Sequence, residues 1–260
     1  MKSVAIGSFG KYSKYYDLLY QDKDYPREVA FISELLERYV PSGSSLLELG
    51  CGTGRHAVML AEGRWIIDGL DLSEEMLQAA EERRRYLPAK VAERLRFFQG
   101  DVRKFETGKQ YDAVVSLFHV VSYQNTNEDV LEMFRKVCAH LKPGGVFIFD
   151  YWYGPAVLTD RPSVRIKRMR SSDLNVTRLA EPVIYPNTSL VDVNYEIQIR
   201  ETSSGETEIL RETHRMRYLF LTEIELLLRE AGLRLLTSSE WLTGKEPGWD
   251  TWGVCSVAAK

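Results

Sequence analysis

One stretch constrains the chain more than any other: Leu46-Leu47-Glu48-Leu49-Gly50-Cys51-Gly52-Thr53-Gly54-Arg55-His56-Ala57. A short apolar run ends in an acid, and three glycines follow at alternate positions. The helical pattern Ala57-Val58-Met59-Leu60-Ala61 then takes over. The order is strand, tight turn, helix. Glycine carries no Cβ, so the backbone can turn sharply there and approach a ligand closely. Loops of this kind lie at the carboxyl end of a parallel sheet and bind adenosine-containing cofactors.

The glycines alone do not choose the cofactor, since Gly52-x-Gly54-x-x-Ala57 also passes as a loose dinucleotide fingerprint. A second strand, Trp65 to Leu70, ends in Asp71, an acid placed to accept hydrogen bonds from both ribose hydroxyls. NAD and S-adenosylmethionine both use such an acid, so Asp71 does not discriminate. Glu48 does: it faces the space that a cationic amino-acid cofactor would take, and it would repel a pyrophosphate. A third strand, Leu95 to Gln99, leads into Gly100-Asp101-Val102, where an acid can accept a hydrogen bond from an adenine amino group. In these residues the chain resembles the class I S-adenosylmethionine-dependent methyltransferases, whose first motif reads acid-x-Gly-x-Gly-x-Gly. The resemblance covers roughly Phe9 to Asp150 and includes the Leu141-Lys142-Pro143-Gly144-Gly145 turn before a hydrophobic strand.

The resemblance implies S-adenosylmethionine as cofactor and a doubly wound, mostly parallel, seven-stranded α/β sheet. Around the cofactor it places Glu48, Gly50, Cys51, Gly52, Gly54, Asp71, Leu72, Met76, Gly100, Asp101, Val102 and Leu117. Leu72 and Met76 have two readings, as walls of the adenine pocket or as core. Cys51 reads as a small loop residue rather than a nucleophile. The aromatic arm, with Tyr12, Tyr15, Tyr16, Tyr20 and Tyr25, reads as a lid or as a core-packing helix; core packing is favoured for Tyr15 and Leu19. Arms of the form Tyr-Asp-x-x-Tyr-x-x-Lys-Asp-Tyr occur in a subgroup that includes nucleotide-linked amino-sugar N-methyltransferases, and that likeness puts Tyr16 and Tyr25 against the cofactor.

Composition bounds the rest. The chain has 260 residues, 44% hydrophobic and 27% charged, enough for a full core. Net charge is −3 and pI about 5.9, which gives no sign of a nucleic-acid partner. Three scattered cysteines, Cys51, Cys138 and Cys255, suggest neither a disulfide framework nor a zinc site, and no metal is expected. The opening residues lack a signal-peptide pattern and no apolar stretch is long enough to span a membrane, so a cytoplasmic enzyme is expected.

After Asp150 the pattern changes. Val164 to Met169, Val191 to Ile199 and Glu208 to Thr213 alternate apolar and polar residues, separated by Pro, Asn, Ser and Gly. The expected organisation is an aromatic arm and cofactor-binding core over 1–151, an antiparallel β insertion over 152–220, and a closing helix and strands over 221–260. The insertion reads as a substrate cap with room for a homodimer surface. Its basic cluster Arg161, Arg165, Lys167, Arg168 and Arg170 suits a substrate phosphate or the solvated face of a strand, the solvated face being favoured.

Methyl transfer to an amine needs the acceptor unprotonated, and a hydroxyl acceptor gains from a general base. His119 and Tyr123, in the loop after the fourth strand, are the candidates, with Tyr16 carried as a further catalytic candidate. In the amino-sugar enzymes a histidine occupies what looks like the Tyr123 position, so this chain departs from them there. His56, His140 and His214 are expected to be structural. The acceptor is expected to be a small polar molecule, with a nucleotide-linked sugar the candidate and N- or O-methylation both open. The competing readings are an NAD-dependent oxidoreductase of similar topology and a non-catalytic S-adenosylmethionine-binding protein.

Overall fold

A computed structural model describes residues 18–260. The core strands are β1 (Ser45–Leu49), β2 (Ile66–Asp71), β3 (Leu95–Gln99), β4 (Tyr111–Ser116), β5 (Leu141–Tyr153), β10 (Arg234–Glu240) and β11 (Gly253–Ala259). They pair in the order β3-β2-β1-β4-β5-β11-β10, with only β11 running against its neighbours. Leu46, Leu47 and Leu49 of β1 are fully buried, as expected of a parallel strand covered on both faces. Each such side chain contributes roughly 2 kcal/mol of transfer free energy.

The helices are α1 (Tyr25–Tyr39), α2 (Arg55–Glu62), α3 (Glu74–Arg85), α4 (Ala89–Ala92), α5 (Asn127–His140), α6 (Gly154–Thr159) and α7 (Leu221–Glu230). Side-chain caps fix three of their starts. Asp24 accepts from Arg27 N–H, Ser73 from Met76 N–H, and Thr126 from Asp129 N–H. Phe134 of α5 packs against the stacked Phe147 and Phe149 of β5 and fills one side of the sheet.

The insertion is a four-stranded antiparallel sheet of β6 (Arg165–Arg170), β7 (Leu174–Tyr185), β8 (Leu190–Glu201) and β9 (Thr207–Leu219). Three of these strands follow from period-two alternation. Strand β7 does not, because Pro182 interrupts it. The structure tolerates Pro182 because β6 pairs only with Asn175 to Ala180, leaving that end of β7 as an open edge. Helix α6 was likewise not expected. The sheet joins the core where Trp152 and Tyr153 of β5 pair in parallel with Tyr218 and Leu219 of β9. This uses the edge of β5 beyond the end of β4, since β11 holds the other edge. Buried Arg217 of β9 adds hydrogen bonds to Asn127 and Glu223.

Candidate functional site

The three loop glycines are all left-handed, with φ of 72°, 54° and 73° at Gly50, Gly52 and Gly54. Their surroundings differ. A Cβ on Gly50 would stand 2.4 Å from Val120 Cγ2, and one on Gly54 2.9 Å from the Phe97 ring. A Cβ on Gly52 would meet nothing within 4 Å, so Gly52 borders open space. Its N–H donates to Asp71 Oδ2 at 2.7 Å, and Ser73 N–H donates to Oδ1 at 2.9 Å. Two backbone donors thus fix the carboxylate beside the loop, and each oxygen keeps a lone pair for another donor. Burial nevertheless raises the Asp71 pKa.

Glu48, near the end of β1, is 1% exposed, and its Oε2 has no hydrogen-bond partner among the described residues. Burial first, and the nearby Asp71 second, push its pKa up to about 8. A polar chain leads to it: Lys23 Nζ lies 2.5 Å from Glu28 Oε2, which is 2.8 Å from His56 Nε2, while His56 Nδ1 is 3.9 Å from Glu48 Oε1. Leaving a buried carboxylate oxygen unmatched is costly, and a cationic group entering from the Gly52 side removes that cost. The acid, the open glycine and the clamped Asp71 therefore fit the ammonium, sulfonium and ribose of S-adenosylmethionine.

The remaining expected cofactor residues are more scattered in character. Leu72 is exposed, whereas Met76 is buried and packs with Leu19, Val176 and Ile197 under the insertion. Asp101 follows β3 as expected, but Arg103 grips both its oxygens, at 2.9 and 2.7 Å, and lowers its pKa. Any adenine amino group must share that carboxylate. At Gly100 a Cβ would stand 2.4 Å from Leu70 Cδ1 and would have to displace that side-chain tip; Val102 and Leu117 pack into the core. Cys51 is buried, and burial pushes its thiol pKa well up, as suits a packing residue. Tyr25 is buried with its ring centroid 5.0 Å from that of His56. Tyr16 lies outside the described residues.

Strand β4 stops at Ser116, two residues before Phe118. Phe118 and His119 both take positive φ, 67° and 65°. Two successive strained residues cost about 1–3 kcal/mol each and must be held in place. Asp150 does so: its Oδ1 accepts from His119 N–H at 2.9 Å, and its Oδ2 lies 2.7 Å from His119 Nδ1, out of line for a hydrogen bond. A cavity of about 370 Å³ opens here, lined among others by Tyr20, Lys23, Phe118, His119, Asp150 and Lys167.

Tyr123 closes the 3₁₀ turn Val120–Tyr123. It lies in a crevice: 43% of the residue stays open to solvent, yet surrounding protein, then Tyr20, Tyr195 and Glu212, raises its phenol pKa. A tyrosine base needs the opposite shift. Its Oη lies 2.7 Å from His214 Nδ1, and His214 Nε2 lies 2.9 Å from Glu212 Oε2. His214 and Glu212 are on β9, about 90 residues away, and His214, expected to be structural, instead meets the Tyr123 phenol. The signal that could have found it is the alternation in β9, which puts Glu212, His214 and the buried Met216 on one face. His140 is structural as expected, bonded to the Lys136 carbonyl and Thr107 N–H. His56 instead borders the Glu48 site. No metal-binding cluster occurs among the described residues.

The model of a methyltransferase domain matches residues 46–145, from β1 to the turn inside β5. Over 235 residues the chain is 32% identical to the dTDP-3-amino-3,4,6-trideoxy-alpha-D-glucopyranose N,N-dimethyltransferase of Streptomyces venezuelae, covering 90% of this chain and 92% of that one. It is 29% identical over 241 residues to the dTDP-3-amino-3,6-dideoxy-alpha-D-glucopyranose N,N-dimethyltransferase of Streptomyces fradiae, covering 92% and 88%. The crystal structure of Streptomyces venezuelae DesVI superimposes with a TM-score of 0.77 at 26% identity over 98% of this chain and 99% of that one. The fold is shared with CalS10 of Micromonospora echinaspora, an amino pentose methyltransferase solved with S-adenosylmethionine, at a TM-score of 0.74 and 23% identity, over 100% and 99% of the two chains. With a strand–glycine–helix loop, a clamped acid on β2 and relatives matched along nearly their whole length, the chain belongs to the class I S-adenosylmethionine-dependent methyltransferases, in the group that includes the nucleotide-linked amino-sugar N-methyltransferases.

Proposed function

We propose that this methyltransferase acts on the amino group of a sugar carried on a nucleotide. One observation carries the reading: the inner face of the insertion sheet. Register puts Arg165 opposite Ala180, Tyr195 and Glu212 in one row across the four strands, and Lys167 opposite Arg178, Ile197 and Leu210 in the next. Arg165, Lys167 and Arg178 therefore form a cationic end of that face, and Tyr195, Glu212 and His214 a polar aromatic end. Three strand spacings separate β6 from β9, about 14 Å at ~4.8 Å each. That span suits a diphosphate at one end and a sugar ring at the other. Arginine meets phosphate oxygens bidentately, and tyrosine suits a polyhydroxylated ring by packing and hydrogen bonding. The curated relatives, whose names specify dTDP-linked amino sugars, support the same acceptor class.

When bound, S-adenosylmethionine supplies an activated methyl on sulfur and a neutral leaving group. The protein's own task is to align the acceptor and exclude water. Glu48 and Asp71 hold the cofactor's charged and ribose ends, the strained Phe118-His119 turn shapes the floor, and the insertion roofs the acceptor. The outer face of the insertion, with Ile166, Val183 and Ile209 exposed, is where a homodimer contact is proposed. Sedimentation as a monomer at micromolar concentration retires that part. No helix among the described residues is long and apolar enough to cross a membrane.

The acceptor reading is tested with a panel of dTDP-linked amino sugars and labelled S-adenosylmethionine, scoring mono- and dimethylated products by mass. Turnover of at least one amino sugar, and none of its hydroxyl counterparts, is expected. Turnover of an unphosphorylated amine or acid, with no nucleotide sugar methylated, overturns it.

A further inference from the structure

From the geometry we infer that Tyr123, His214 and Glu212 form a proton relay for the acceptor nitrogen, with His214 the final proton acceptor. The inference rests on the amino-acceptor reading above. The turn carrying Tyr123 and strand β9 come together at this point: Tyr123 Oη lies 2.7 Å from His214 Nδ1, and His214 Nε2 lies 2.9 Å from Glu212 Oε2. The carboxylate only accepts, so Nε2 carries the proton in the neutral ring and Nδ1 is left to accept from the phenol. The ring is held further by Tyr195, whose plane meets it edge-on at 5.1 Å between centroids. The charged and titratable groups facing this cluster are Glu212 on β9, Arg178 on β7, Tyr195 on β8, Tyr20 from the segment before α1, and Asp71 across the crevice. Arg178 lies over the Tyr20 and Tyr195 rings, 5.9 and 5.1 Å from their centroids.

The chemistry balances without another reagent. The acceptor nitrogen forms its bond to the methyl carbon as the carbon–sulfur bond breaks, and that electron pair stays on sulfur. The alkylated nitrogen then carries one proton too many. That proton passes to Tyr123 Oη while the phenol proton passes to His214 Nδ1, and the imidazolium is stabilised by Glu212. The phenol is never required as a free phenolate. A second methylation needs the nitrogen lone pair again, so the relay serves each round.

The experiment compares the unmodified chain with His214→Ala, Tyr123→Phe and Glu212→Gln. For His214→Ala, kcat is expected to fall about 100-fold with S-adenosylmethionine affinity unchanged. The acidic limb of the kcat–pH profile should move to that of the acceptor amine alone, and added imidazole should restore part of the rate. Tyr123→Phe should lose a similar factor without imidazole rescue, and Glu212→Gln should shift the limb. A His214→Ala enzyme with the parent's kcat and pH profile overturns the relay, as does a loss confined to KM. Nitrogen-15 spectra of the free protein supply a readout that needs no acceptor. A neutral His214 protonated on Nε2 is expected, and one protonated on Nδ1 overturns the relay. Failure of every amino sugar to react, with the Nε2 form present, instead sinks the acceptor reading alone.

Discussion

The two ends of the site are built on different plans. The proposed cofactor end comes from neighbouring pieces of chain: the Gly50–Gly54 loop, Asp71 one strand away, and Glu48 two residues before the first glycine. The proposed acceptor end joins groups far apart in sequence, with Tyr123 and His214 separated by 91 positions and brought together by the docking of β9 on the core. The first would hold the same cofactor whatever the acceptor, so local backbone geometry suffices. The second must suit one acceptor among many, and an insertion can vary there without disturbing the sheet.

The sharpest way to break this contrast is at the glycines. Gly50→Ala forces a Cβ to within 2.4 Å of Val120 Cγ2 at a φ of 72°. Loss of about 2–4 kcal/mol of stability is expected from overpacking and left-handed strain together, with no measurable cofactor binding. Gly52→Ala meets open space, so only the strain of about 1–2 kcal/mol applies to folding, while the new methyl intrudes on the cofactor. Thermal melts and calorimetry on both variants should therefore separate fold from function. Unchanged cofactor affinity in Gly52→Ala, with the fold intact, would mean that the Gly52 space is not a ligand site.

Asp71→Ala removes the acceptor proposed for the ribose and should weaken S-adenosylmethionine binding by about 1.5–3 kcal/mol. Because the same carboxylate fixes Gly52 and Ser73 N–H groups, Asp71→Asn should lose less loop order than Asp71→Ala. Unchanged binding in both, with the fold intact, contradicts the assignment.

What could be read in advance follows the same division. Continuous apolar strands, the alternate glycines and a Ser-Glu-Glu helix start are local signals, and the core sheet and the Glu48–Asp71 pair were legible from them. The Met76 environment was not, because burial there depends on Ile197 and Val176 of the insertion. Strand β7 was hidden by Pro182, and the role of His56 by its lying on an ordinary helix pattern. The positive φ of Phe118 and His119 was invisible as well: neither is a residue that advertises a left-handed turn. Their conformation is imposed by Asp150, 31 residues later.

Glu48 offers a smaller effect with a definite sign. Its folded pKa, pushed up to about 8, exceeds the ordinary value of 4.5. Between those values the folded chain binds more protons than the unfolded chain, so this group's contribution makes the ligand-free protein less stable as pH rises through the window. The slope is at most about 1.4 kcal/mol per pH unit. Above about pH 8 the contribution levels off. Glu48→Gln should flatten that slope, and saturating S-adenosylmethionine should do the same in the unmodified chain, because a cation beside Glu48 favours its charged form. Denaturant titrations at pH 6, 7 and 8 read all three. A slope unchanged by Glu48→Gln would show that the buried carboxylate is not the group responsible.

The smallest effect separates the two faces of one strand at the acceptor end. Along β6, Arg165 and Lys167 share the inner face with buried Met169, while Arg168 and Arg170 take the outer face. Lys167 is committed to the Leu19 carbonyl and Asp22, so Arg165 is the better probe of a substrate phosphate. Arg165→Ala should raise the acceptor KM about tenfold, as for loss of one charge-assisted hydrogen bond of about 1.5 kcal/mol, and leave kcat nearly unchanged. The penalty should shrink with added salt, since an exposed ion contact is screened. Arg168→Ala, three residues on and facing solvent, should leave both constants within twofold. If the two variants behave alike, the basic cluster is only a solvated strand, and recognition of the nucleotide must come from elsewhere in the crevice.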